Sequence, residues 1–151
     1  MTEGVRRCDV ADPRMTIPEI EALMDQHFAD WRSFSTIVAL ADHELSLRMP
    51  FRPALVRAGG TISGPAMMAL ADTAAYYLTL AYAGPVPQIA TANLDIHFLS
   101  RPRPADMIAT AHLLRLGRRL AVSTVDIRSE GSDEVVAHAT VTYSLPSTRG
   151  T

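Results

Sequence analysis

From Pro65 to Ala83 the chain is almost wholly apolar, with a single charge, Asp72, near the centre. Its length approaches the roughly 17–25 residues that span a bilayer. The central carboxylate, the many alanines and the threonines Thr73 and Thr79 instead predict a long helix buried in a soluble protein. Ser63-Gly64-Pro65 opens it, and Gly84, Pro85 and Pro87 end it. A helix this apolar must be covered on most sides, so the rest of the chain has to supply a wrapping surface.

That surface is legible downstream. In Ile89–Leu99, Leu94, Ile96 and Phe98 alternate with Asn93, Asp95 and His97. Asp106–Leu114, Leu120–Arg128 and Val135–Ser144 follow as strands, joined by Arg115-Leu116-Gly117-Arg118-Arg119 and by Glu130-Gly131-Ser132-Asp133. Connections this short imply antiparallel pairing. Upstream, Phe34–Ala39 and Glu44–Met49 read as two more strands with a turn at Ala41-Asp42-His43. Thr16-Ile17-Pro18-Glu19 caps a helix over residues 17–28 with an apolar stripe of Ile20, Leu23, Met24 and Phe28. The fold class is α+β: one long helix against an antiparallel sheet of five or six strands. At 151 residues the chain suits one domain over residues 15–146, with a loose segment before it (1–14) and a short tail after it (147–151).

Composition excludes several functions. The net charge of −2 gives no field that would gather nucleic acid or an anionic membrane. All 14 basic residues are Arg, which removes Schiff-base and P-loop lysine chemistry. The one cysteine, Cys8, excludes an intramolecular disulfide and a Cys-rich metal site, and fits a cytoplasmic location. Residues 1–8 lack the apolar core of a secretory signal. His97, His112 and His138 show no metal-ligand spacing, so neither metal nor cofactor is expected. Ser123 and Ser144 lack a nucleophile-elbow context.

Asp72 is the residue that stands out. Its neighbours three and four positions away are Met68, Ala69, Ala75 and Tyr76, none of them a cation. A carboxylate in an apolar helix needs a partner from elsewhere, water or a substrate. It is either a structural Asp or a general base. Gly64 adds backbone N–H donation at a helix N-terminus, which favours a developing oxyanion. Arg115, Arg118 and Arg119 around Gly117 form a basic turn suited to phosphates or simply to solvent. Trp31 reads as an anchor for the first helix, and Tyr76, Tyr77 and Tyr82 as packing, with Tyr77 a candidate for lining an acyl pocket.

Gly59-Gly60-Thr61-Ile62-Ser63-Gly64-Pro65 followed by Leu70-Ala71-Asp72-Thr73-Ala74 resembles the PaaI-like branch of the hotdog-fold acyl-CoA thioesterases. Thr91–Leu99 is similar to that family's strand after the helix, and Leu116–Ala121 to its basic hairpin; the resemblance covers about residues 35–145. It implies a hotdog fold, a homodimer made by joining sheets edge to edge, and pairing of dimers into a homotetramer. It implies acyl-CoA as substrate and an active site shared between subunits. The family's acid falls on Asp72, as general base or nucleophile, and its oxyanion donor on the Gly64 amide. A water-placing hydroxyl contributed by the other subunit falls on Thr91, and the CoA phosphate site near Arg118 and Arg119. Met67, Met68 and Tyr77 would line a pocket for an aryl, short or medium acyl group.

Two departures mark this sequence. Many relatives carry His-Gly-Gly where this chain has Ser63-Gly64-Pro65, and an upstream Asn where it has about Arg57. Pro65 cannot donate, whereas Ser63 offers a hydroxyl. A non-hydrolytic acyl-CoA-binding hotdog is therefore the alternative reading. A hydratase usually pairs its Asp with a nearby His, and none lies between His43 and His97. Regular alternation also sets Thr91 on the face of Asn93, Asp95 and His97, away from the helix. Only a bend or bulge would bring it round.

Overall fold

The computed structural model describes residues 12–147. Cys8, most of the N-terminal segment and the last residues of the tail lie outside that range. Helix α1 (Ile17–His27) begins with the expected capping box: Glu19 N–H donates to Thr16 Oγ1 at 3.4 Å, and Thr16 N–H donates to Glu19 Oε1 at 3.2 Å. Ile20 and Met24 bury its apolar stripe, while Phe28 is left half open. A short helix α2 (Trp31–Phe34) follows, where the sequence reading already starts a strand.

Among the described residues six strands build one antiparallel sheet: β1 (Thr36–Ala41), β2 (Glu44–Met49), β3 (Ala90–Phe98), β4 (Met107–Leu116), β5 (Leu120–Ser129) and β6 (Val135–Ser144). Their order across the sheet is β1-β2-β4-β5-β6-β3, so β1 and β3 form the edges. The β1–β2 hairpin turns on Asp42 and His43, both with positive φ, as a two-residue primed turn requires. β4 runs two residues beyond its expected end, because a register shift between Leu113 and Arg115 absorbs Leu114 and pairing resumes.

The long helix, α3 (Gly64–Ala83), lies against one face of this sheet. Ser63 caps it, its Oγ accepting from Ala66 N–H at 3.3 Å. Gly84, at φ 103°, ends it in a conformation that only Gly adopts without strain. Leu70, Ala71, Ala74, Leu78 and Ala81 are fully buried against Leu45, Leu47, Ala109, Ala111, Val125, Ile127, Ala137, Ala139 and Val141. Alanines on both surfaces let helix and sheet approach closely, and each buried Leu contributes about 1.5–3 kcal/mol. No helix among the described residues is long and apolar enough to cross a membrane. The sheet's other face mixes the half-buried Ile108 and Val122 with polar residues, among them His112 beside Glu44 at 3.3 Å and His138 beside Asp126 at 2.6 Å.

Candidate active site

A helix packed on a sheet by one face presents another face elsewhere. Asp72, Thr73, Tyr76 and Tyr77 make up that second face of α3 and line a cleft of about 590 Å³. The opposite wall comes from α1, α2 and the turn between them: Met24, Phe28, Ala29, Asp30, Trp31 and Phe34. β3 and β6 close the end with Ile89, Ala90, Thr91 and Tyr143. The lining is strongly aromatic. Phe28 meets Tyr76 edge-on at 6.1 Å, Trp31 meets Tyr77 at 6.2 Å, and Tyr76 meets Tyr143 at 5.8 Å. Trp31 is fixed from outside the cleft by Nε1–H donation to Asp25 at 2.8 Å and by the Arg32 guanidinium 4.4 Å over its ring.

Asp72 is half-buried on this cleft. Its Oδ1 accepts from Thr91 Oγ1 at 2.8 Å and from the Tyr143 hydroxyl at 2.7 Å. No described residue hydrogen-bonds to Oδ2. Burial pushes the Tyr143 phenol well above its ordinary value, and raises Tyr76 and Tyr77 to about 12. All three hydroxyls therefore stay protonated at neutral pH.

Thr91 reaches Asp72 because β3 bulges. Its register against β6 shifts between Thr91 and Asn93, so Ala92 is extra and Thr91 turns to the helix side. Strict alternation, which sends Thr91 outward, fails at this one residue. Thr91 thus meets the acid of its own chain.

Gly64 sits at the first turn of α3, eight residues before Asp72, or about 12 Å along the axis. It lines a different cavity, of about 460 Å³, with Arg57, Thr61, Met67, Phe98 and Leu99. Its N–H makes no hydrogen bond among the described residues. A Cβ placed there would come 3.3 Å from the Phe98 ring, so the strand edge stands directly over the helix start.

A profile of the thioesterase superfamily matches residues 59–136, a span that includes Gly64, Asp72 and Thr91. A protein of Silicibacter sp. TM1040, described as a candidate thioesterase, is 35% identical, with a TM-score of 0.82 over 91% of this chain and 96% of its own. The chain belongs to the thioesterase superfamily. Two more distant structures share the fold. Zebra fish thioesterase superfamily member 2 is 21% identical over 87% of this chain and 99% of its own (TM-score 0.73). A thioesterase of Haemophilus influenzae is 18% identical over 91% and 94% (TM-score 0.75). Comparison with curated proteins finds no match.

The remaining expected residues of this thioesterase-superfamily chain fall in three places. Tyr77 lines the Asp72 cleft. Met68 does not: it shares the Asp72 face of α3 but lies one turn nearer the helix start, where it is exposed and lines none of the three cavities described. The Ser63 oxygen serves as the helix cap, accepting from the Ala66 N–H, and its O–H stays available to donate. Arg118 and Arg119 are exposed on the β4–β5 hairpin. Arg118 borders a third cavity of about 240 Å³ with Arg14 and Tyr82, sharing no lining residue with the cleft. The hairpin is nonetheless at the Thr91 end of the sheet, where Leu120, Ser144 and Ala90 lie in one row.

Tyr143 and the aromatic wall of α1 and α2 are the site residues that the sequence reading missed. Tyr143 had a usable signal. It occupies the inward phase of Ala137, Ala139 and Val141, and is the one large polar-tipped side chain in that series. The wall had none beyond the aromatic content of residues 28–34.

Proposed function

We propose that this chain is an acyl-CoA thioesterase that hydrolyses a small or medium acyl thioester, aryl groups included, to the free acid and CoA. The observation that carries this reading is a carboxylate with one oxygen held by two hydroxyls and the other unoccupied, at the edge of an aromatic cleft. Either Oδ2 removes a proton from water as that water adds to the thioester carbonyl, or Oδ2 adds first and water then cleaves the mixed anhydride. In both routes the C–S bond breaks, the CoA thiolate leaves, and the proton from water ends on the thiol. A thioester is already activated, so one base and one oxyanion donor supply the several kcal/mol required.

The donor cannot be the Gly64 of the same chain, since about 12 Å of helix separates it from Asp72 and a thioester carbonyl must touch both. A homodimer removes that difficulty. β3 is paired on one side only, and exposed Phe98 and Leu99 mark its far end. Thr91, beside Asp72, is at one end of this edge; Phe98, over Gly64, is at the other. Two copies joined antiparallel along β3 would set the Gly64 end of one against the Asp72 end of the other. In this proposal each dimer carries two such sites, dimers pair into a tetramer, and the Arg118–Arg119 hairpin meets the CoA phosphates.

The test is thiol release from a panel of acyl-CoAs, wild type beside Asp72→Asn. The isosteric amide keeps an acceptor for Thr91 and Tyr143, so the fold should persist. Turnover should fall by about 10²–10⁴-fold. A folded variant keeping more than a tenth of the wild-type rate would sink the assignment.

A further inference from the structure

We infer that Tyr143 is a positioning residue for Asp72: its hydroxyl, with that of Thr91, pins Oδ1 and thereby dedicates Oδ2 to the reaction. This rests on the thioesterase reading above and adds to it a residue outside the stretch that the superfamily profile matches.

A carboxylate held by one hydrogen bond can swing about its Cβ–Cγ bond and exchange its two oxygens. Held by two donors from different strands, it has one orientation. Thr91 approaches from β3 at 2.8 Å and Tyr143 from β6 at 2.7 Å, onto the same oxygen. The Tyr143 oxygen is also 3.1 Å from the Asp72 carbonyl oxygen, so it spans the backbone and the side chain of one residue. An ionised carboxylate only accepts, so the Tyr143 O–H must donate. Burial raises the Tyr143 phenol, which keeps that proton in place throughout the pH range of use.

Packing explains why the hydroxyl can be so well placed. Tyr143 is 3% exposed, and its ring rests against Tyr76. It pairs in register with Thr91 across β3–β6 and with Ala121 across β5–β6. The sheet therefore fixes the ring at both sides, and the β3 bulge brings the second hydroxyl to the same oxygen. The other large inward residues of β5 and β6 are aliphatic and have no such tip: Val125, Ile127 and Val141.

Tyr143→Phe keeps the ring and removes only the hydroxyl, so a purely structural role would leave kinetics unchanged. The expected result is a kcat lower by about ten- to hundredfold, from loss of one hydrogen bond to a charged group, with KM within about twofold. A wild-type kcat would overturn the inference. Crystal structures of wild type and Tyr143→Phe give a second arm that needs no turnover: the Asp72 carboxylate should take one orientation in the first and more than one in the second. An identical single orientation in both would refute the positioning role. If wild type releases no thiol from any thioester, the hydrolase reading fails, and the structural arm still decides what Tyr143 does to Asp72.

Discussion

Gly64→Pro is a substitution that deletes one hydrogen-bond donor at a limited cost to the fold. The first turn of a helix tolerates Pro, because its N–H has no partner within the helix. The Gly64 N–H has none among the described residues. A Pro disfavours helical backbone in the residue before it; Ser63 is extended, at φ −70° and ψ 151°, but residue 64 precedes Pro65 from within the helix, so a ring there adds strain that Gly avoids. The cap from Ser63 Oγ to Ala66 N–H is untouched. The added Cβ comes 3.3 Å from the Phe98 ring, which is 49% exposed and can move aside. A gain of about 0.4–1 kcal/mol from the stiffer unfolded chain partly offsets this contact and the strain before Pro65. The melting temperature should therefore fall by no more than about 8 °C. Activity should not survive. Loss of one preorganised oxyanion donor costs about 2.7–4 kcal/mol, or 10²–10³ in kcat. The assay is thiol release under saturating acyl-CoA, read beside a thermal melt of the same preparation. A variant that still melts cooperatively and keeps a third of the wild-type kcat would show that the Gly64 amide is not the oxyanion donor.

Other substitutions probe the cleft and the fold. Trp31→Leu removes a ring that faces Tyr77; one aromatic pairing is worth about 0.5–1.5 kcal/mol, so the kcat/KM ratio of benzoyl-CoA to hexanoyl-CoA should fall about two- to tenfold. An unchanged ratio would remove the wall from the specificity argument. Leu70→Ala empties a fully buried position between helix and sheet and should cost about 3–5 kcal/mol in urea unfolding; less than 1 would contradict the packing described. Asp106 is held below its ordinary value first by the Phe51 N–H and then by Arg48. A lowered carboxylate stabilises the folded chain above its unfolded pKa, and loses that contribution as pH falls through its folded one. The stability gap between wild type and Asp106→Asn should thus be full at pH 6 and shrink below about pH 4. A gap independent of pH would refute that assignment.

What the sequence discloses depends on how local each signal is. α3 is legible at both ends because Ser63-Gly64-Pro65 and Gly84 are local stop and start chemistry. β6 is legible because its alternation runs unbroken from Ala137 to Ser144. The first strand is misplaced by two residues at its start because α2, four residues long, is too short to show a period. Trp31 and Phe34 are instead placed by tertiary packing around Tyr77 and the cleft. The bulge at Ala92 leaves no mark, since an alanine fits a bulge as readily as a regular strand; the facing of Thr91 is lost with it. Asp72 is legible because a lone charge in an apolar helix is costly wherever the rest of the chain lies. Its company is not, because Tyr143 follows 71 positions later and meets it only through the sheet.

The acid and the wall it faces are written in separate stretches of the chain. Gly64, Asp72 and Thr91 fall inside the span shared with the superfamily, whereas Met24, Phe28, Trp31 and Phe34 precede it. Mutational drift in residues 24–34 can therefore reshape what enters the cleft while the atoms that would break a bond keep their places. A lineage built this way can change its diet by editing one short segment near its beginning, and relatives with matching cores need not share substrates. Grafting that segment between homologues would move preference without rebuilding chemistry.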